Sequence, residues 1–225
     1  MASKRVKGAQ KAYLKGNLEE TRKAHSEEEI KGHSAGSGAE YVGSMVYGAL
    51  DGIVTTFAVV SGAAGAGLAP GVVLVLGFAN LFADGLSMAV GSYLSMKSQQ
   101  SYYEAERRRE EWEVENYPAG ERAEVREIYG RKGFAGQSLE KIVELVTSKK
   151  TVWVDTMMTN ELGLLPDPRS PVKSGLYTFG AFVIAGFVPL LIFVVSFFRP
   201  LPPSITFPAA FALTFATIFA VGSLR

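Results

Sequence analysis

The sequence has no cysteine. That excludes disulfides and thiolate metal sites, and it leaves the redox compartment open. Histidine is scarce as well: His25 and His33 are the only two, both in the first 40 residues. Charge is also scarce, in long stretches. Residues 42–96 carry two charged groups, Asp51 and Asp84, and residues 174–198 and 200–224 carry none. A helix in water keeps one face polar, and these blocks lack the residues to do so. At about 1.5 Å per residue, roughly 20 residues cross a hydrocarbon core of about 30 Å. Residues 42–96 are long enough for two crossings and a turn, and each C-terminal block for one. The expected fold is an all-α membrane protein with four transmembrane helices, at about 41–66, 70–95, 174–198 and 204–224.

The remaining sequence is rich in charge and falls into two blocks. Residues 1–40 form a polar arm, which rules out a cleavable signal peptide; Lys7–Leu18 suits a short amphipathic helix, and the Gly32–Gly38 stretch a flexible joint. Residues 41–96 hold the first two spans, 97–171 a helical domain, and 172–225 the last two spans. No breaker follows the second span, so its helix is expected to continue to Asn116, where Asn-Tyr-Pro-Ala-Gly breaks it. Short helices are expected at Glu121–Tyr129, from a Ser138 cap to Thr147, and at Lys150–Leu162. Pro166, Pro168 and Pro171 then lead to the third span. The arm has eight Lys/Arg and residues 97–173 have thirteen, against one in the turn 199–203 and none in 66–70. The positive-inside rule puts the arm and the 97–171 domain in the cytoplasm.

Candidate chemistry begins with the acids. A carboxylate at mid-membrane costs a few kcal/mol on insertion scales, so such groups usually face a bundle interior or a water path. Asp51 and Asp84 are therefore functional candidates; the competing role for each is a packing carboxylate, for Asp51 one bonded to a neighbouring Ser or Thr. Met88 lies one turn beyond Asp84 on the same face. Gly43, Gly48, Gly52, Gly77, Gly85 and Gly91 suit close packing of the first two spans. In the charged block, Glu110 and Glu113 share a helix face, and Glu121 and Glu124 repeat that spacing beyond Pro118. Folding back at the break would gather four carboxylates, which repel unless a cation joins them; the competing role is a solvated face. Met157 and Met158 then stand i−4 and i−3 from Glu161. They suit a core, since Met fills gaps, or a ligand set. Oxygens suit hard ions and thioethers softer ones, so the mixture fits Fe²⁺ better than Mg²⁺ or Ca²⁺.

With DGIVTTFAVVSG in the first span, ADGLSMAVGSYLSMKS in the second and MMTNELGL closing the acidic block, the sequence resembles the vacuolar iron transporter family over about residues 40–225. The resemblance implies export of Fe²⁺ or Mn²⁺ from the cytoplasm in exchange for protons. It implies a cytoplasmic domain that binds metal through Glu110, Glu113, Glu121, Glu124, Met157, Met158 and Glu161. It further implies a path at a homodimer interface that uses Asp51 and Met88. Two departures stand out. Asn80 occupies a place where the family often has glutamate, and it can coordinate but not titrate; Asp84, one turn on, is the candidate substitute. The family has five spans, and this sequence has room for four, which suggests a truncated chain.

The expected function is thus divalent metal transport, with metal ions, protons, lipid and a second copy as partners. No resident cofactor, no nucleic acid and no enzyme activity are expected. A bacterial-type plasma membrane is favoured over a vacuole, since no organelle-targeting segment is evident. Two rivals are a membrane-bound di-iron enzyme, which would want Glu-x-x-His motifs, and a non-transporting metal sensor, which would have no use for Asp51.

Overall fold

A computed structural model describes residues 39–223 together with Lys11, Tyr13, Leu14, Gly16 and Glu19. The rest of the expected Lys7–Leu18 helix, the Gly32–Gly38 joint and both histidines lie outside the described residues. After a 3-10 turn at Ala39–Tyr41 come seven α-helices: α1 (Val42–Gly65), α2 (Pro70–Asn116), α3 (Pro118–Arg131), α4 (Gly136–Thr147), α5 (Lys150–Asn160), α6 (Pro171–Phe198) and α7 (Pro203–Ser223). No strand occurs among the described residues. Four helices, α1, α2, α6 and α7, are long and apolar enough to cross a membrane. The chain separates into two compact units, one ending at Ser92 and resuming at Val172, the other Tyr93–Pro171.

In the first unit, α1, α2, α6 and α7 bury Val60, Ala63, Val73, Leu81, Phe182, Leu190, Phe193 and Ala210 together. Outward-facing Tyr47, Phe82, Leu86, Ile184 and Phe219 are exposed, as an apolar solvent allows. Threonine hydroxyls turn back on their own helices: Thr178 donates to the Ser174 carbonyl at 2.9 Å and Thr214 to that of Ala210 at 2.8 Å, which satisfies them without water. Ser174, itself buried, links three helices through 2.9 Å hydroxyl contacts to Ser44 and Ser92.

The glycines correct one expectation. A Cβ at Gly48 would overlap the Thr178 carbonyl, and one at Gly52 that of Phe182. A Cβ at Gly186 would lie 2.6 Å from the Gly52 carbonyl oxygen. The glycines of α1 therefore admit the backbone of α6, not that of α2. Gly85 faces Phe179 and Phe182, Gly77 faces Leu190 and Val60, and Gly43 and Gly91 face nothing within 4 Å.

In the second unit, Val114, Val125, Ile128, Val143, Trp153, Val154, Met157 and Met158 form one core. The break after Asn116 comes where expected, with Pro118 as the first residue of α3, a position where its missing N–H is no loss. Ser138 is not the cap of α4. The helix starts two residues earlier, and the Ser138 hydroxyl donates back to the Ala135 carbonyl at 2.8 Å. Helix α5 ends at Asn160, two residues short of Leu162. Gly163, at φ 67°, turns the chain there, so that Leu164 N–H reaches the Met158 carbonyl at 2.8 Å. That turn sets Glu161 at the helix end. Gln100 donates to the carbonyls of Asp167 and Arg169 at 3.1 and 2.8 Å, tying the proline-rich linker to α2.

Candidate metal centre

The Pro118 break lets α3 fold back along α2, and the buried stripe Val125 and Ile128 holds it there. Glu110 and Glu113 on α2 thereby meet Glu121 on α3. One carboxylate oxygen from each lies within 4.8 Å of the others. Glu110 and Glu121 are only 1% and 4% exposed. The Oε2 atom of each is buried without a hydrogen-bond partner. A buried acceptor left unpaired is costly, and oxygens gathered this closely suit a divalent cation. Glu113, Glu121, Glu124 and Glu161 line a cleft of about 640 Å³ with Arg109, Trp112, Asn116 and Tyr117.

The electrostatics follow from this crowding. Desolvation raises Glu121 to about 7, with Glu124, Glu110, Glu113 and Glu161 adding repulsion. Desolvation likewise raises Glu161 to about 7, helped by Glu124, Glu110 and Glu113 and opposed by Arg109. Glu124 is raised for the same reason, then by Glu110 and Glu113. The cluster is a set of acids held against their own repulsion.

The methionines belong to the core of this unit. Met157 and Met158 are 0% and 1% exposed, and like the equally buried Glu110 they do not line the cleft. Of the expected sulfur-and-carboxylate set, only Glu161 does. Arg109, Glu106 and Trp112 were not singled out from the sequence. The signal for Arg109 was available, since Glu106 is i−3 and Glu113 is i+4 from it, both facing spacings.

Among the described residues, the acids of the first unit form no such cluster. Asp51, Asn80, Asp84 and Met88 are each half-buried. Asn80 donates to Thr55 and Thr56 at 3.5 and 3.4 Å, which joins α2 to α1. Thr55 donates to the backbone carbonyl of Asp51 at 2.8 Å, not to its carboxylate. The packing role, a side chain tied to Ser or Thr, is therefore not what the described residues contain. Met88 packs against the main core of this unit.

A family model described as the VIT family matches residues 42–225. The chain belongs to the VIT family. Its relatives agree. It is 38% identical over 227 residues to the vacuolar iron transporter of Toxoplasma gondii, covering 95% of this chain and 75% of that protein. It is 34% identical over 236 residues to the vacuolar iron transporter of Plasmodium berghei, covering 100% of this chain and 86% of that one. Vacuolar iron transporter 1 of Arabidopsis thaliana is 36% identical over 153 residues, 68% of this chain and 61% of that protein. These relatives are named as transporters, not enzymes, which removes the di-iron enzyme from consideration for this VIT-family chain. Their names place them at the vacuole, so the expected preference for a plasma membrane finds no support.

Proposed function

We propose that this VIT-family protein moves Fe²⁺, and Mn²⁺ as a second substrate, out of the cytoplasm in exchange for protons, as a homodimer. The observation that carries the reading is the triad Glu110, Glu113 and Glu121, with buried oxygens that nothing in the described chain satisfies. The Tyr93–Pro171 unit is then a cytoplasmic cup. Its negative field raises the local concentration of divalent cations, and Glu124 and Glu161 extend it at the cleft wall. Asp51 supplies charge for the ion within the membrane, with Met88, Asn80 and Asp84 as further ligands along the path. Metal and proton compete for the same carboxylate lone pairs, so Asp51 couples the two flows by alternating between them. A metal sensor without transport would leave Asp51 and Asp84 unexplained in the spans.

The test is uptake into proteoliposomes of Fe²⁺, Mn²⁺, Co²⁺ and Zn²⁺ under an imposed pH gradient. The parent is expected to move Fe²⁺ with opposite proton flow. Asp51→Ala, which removes the charged ligand, is expected to abolish metal-dependent proton movement. Exchange at the parental rate in that variant would take Asp51 out of the mechanism.

A further inference from the structure

The Arg109 guanidinium sits against the Glu110, Glu113 and Glu121 triad. Arg109 donates from Nη2 to Glu110 Oε1 at 2.9 Å, pairs with Glu106 Oε2 at 3.2 Å, and its Nε lies 3.7 Å from Glu113 Oε2. It thus touches two members of the triad and leaves the second oxygen of Glu110 buried and unpaired. Three other basic groups of this unit pair away from the triad. Arg107 holds Asp155 at 2.6 Å and Glu111 at 3.3 Å, Arg126 holds Glu140 at 2.8 Å, and Lys150 holds Glu115. The Arg109 side chain is 49% exposed and lines the cleft, so a rotamer change carries its charge into water.

We propose that Arg109 is the resident counter-ion of the cup: it neutralises the triad between metal ions, yields its place to an entering divalent cation, and returns when the ion leaves. This rests on the cup being the metal site. The physical argument is one of competing charges. A guanidinium hydrogen-bonded to one ligand, Glu110, and ion-paired at 3.7 Å with a second, Glu113, repels a divalent ion bound to the same ligands, so it weakens binding and speeds release. A capture site that feeds a transport path must let go as well as hold, and a built-in competitor serves that need without removing a ligand.

The experiment is calorimetric titration of the full-length protein in detergent with Mn²⁺, at low ionic strength and about pH 8. Arg109→Gln is expected to bind Mn²⁺ about fivefold more tightly than the parent, the scale of an exposed charge pair, and to release it more slowly into a chelator. Added salt is expected to shrink that difference, since screening acts on charge and not on packing. Arg109→Lys, which keeps the charge, is expected to stay within about twofold of the parent. Equal or weaker binding by Arg109→Gln, with Glu113→Ala still losing Mn²⁺, overturns the counter-ion and leaves the cup intact. Parental binding by Glu113→Ala overturns the cup, and the counter-ion with it.

Discussion

Between residues 42 and 96 no basic side chain accompanies Asp51 and Asp84, whereas in the Tyr93–Pro171 unit Arg109 sits among Glu106, Glu110 and Glu113. The contrast follows from the solvent. Arg109, half exposed, offsets part of the cost of holding Glu110 buried beside Glu106 and Glu113. In hydrocarbon an isolated carboxylate costs a few kcal/mol until a cation or proton neutralises it. On the proposed reading, the acids of the Tyr93–Pro171 unit wait for an ion with Arg109 beside them, and those of the spans wait with no basic neighbour. The two units also differ in how they pack. The first removes side chains, at Gly48, Gly52 and Gly186, to bring backbones together. The second fills its core with large ones, Trp153, Met157 and Met158.

The methionines give the largest test of that difference. Met158→Ala empties a fully buried site, which costs about 3 kcal/mol, read as a lowered midpoint in thermal unfolding of the full-length protein. Met158→Leu keeps the volume and costs under about 1.5 kcal/mol. Because Met158 does not line the cleft, the leucine variant is expected to keep its Mn²⁺ affinity within about twofold. A tenfold loss there, with stability preserved, would return the thioether to the ligand set.

The glycines give the next. Gly52→Ala forces a methyl into the Phe182 backbone, where no flexible side chain can yield, at a cost of about 1–3 kcal/mol. Lower yield and a lower unfolding midpoint in detergent are expected. Gly91→Ala, facing open space, is expected to match the parent or exceed it. Equal behaviour of the two variants would mean that α1 and α6 do not meet at Gly52.

Which of these features a reader can recover from the sequence depends on how local their causes are. The four apolar helices follow from runs of uncharged residues, and the unbroken α2 from the absence of any breaker before Asn116. Pro118 marks its own break. The partner of each glycine is a tertiary fact: Gly48 and Gly52 sit in a small-residue pattern that fits α2 as well as α6, and only the packed bundle chooses. The start of α4 is a local matter instead: Gly136, at φ 58°, opens the helix two residues before Ser138. In the cup, helical spacing paired Glu110 with Glu113 and Glu121 with Glu124. Spacing carries no depth, so it could not show that Glu110 and Glu121 are buried while Glu124 is exposed. Nor could it show that Met157 and Met158 are fully buried in the core of this unit.

The smallest expected effect is a pH dependence that belongs to the cup alone. Glu121 and Glu161 are raised from an ordinary 4.5 to about 7. Between those values the folded unit holds protons that the unfolded chain has already lost, so its stability falls as pH rises through the window and levels off above about 7. The metal-free protein is therefore expected to melt a few degrees lower at about pH 8 than at about pH 5.5. Mn²⁺ is expected to restore the loss at the higher pH, because it replaces the protons as the neutralising charge. Glu121→Gln, neutral at every pH, should melt with a smaller pH difference and a smaller response to Mn²⁺. A parent whose midpoint rises from the lower pH to the higher, with no effect of Mn²⁺, would show that the crowded carboxylates of the cup are not under the repulsion their burial implies.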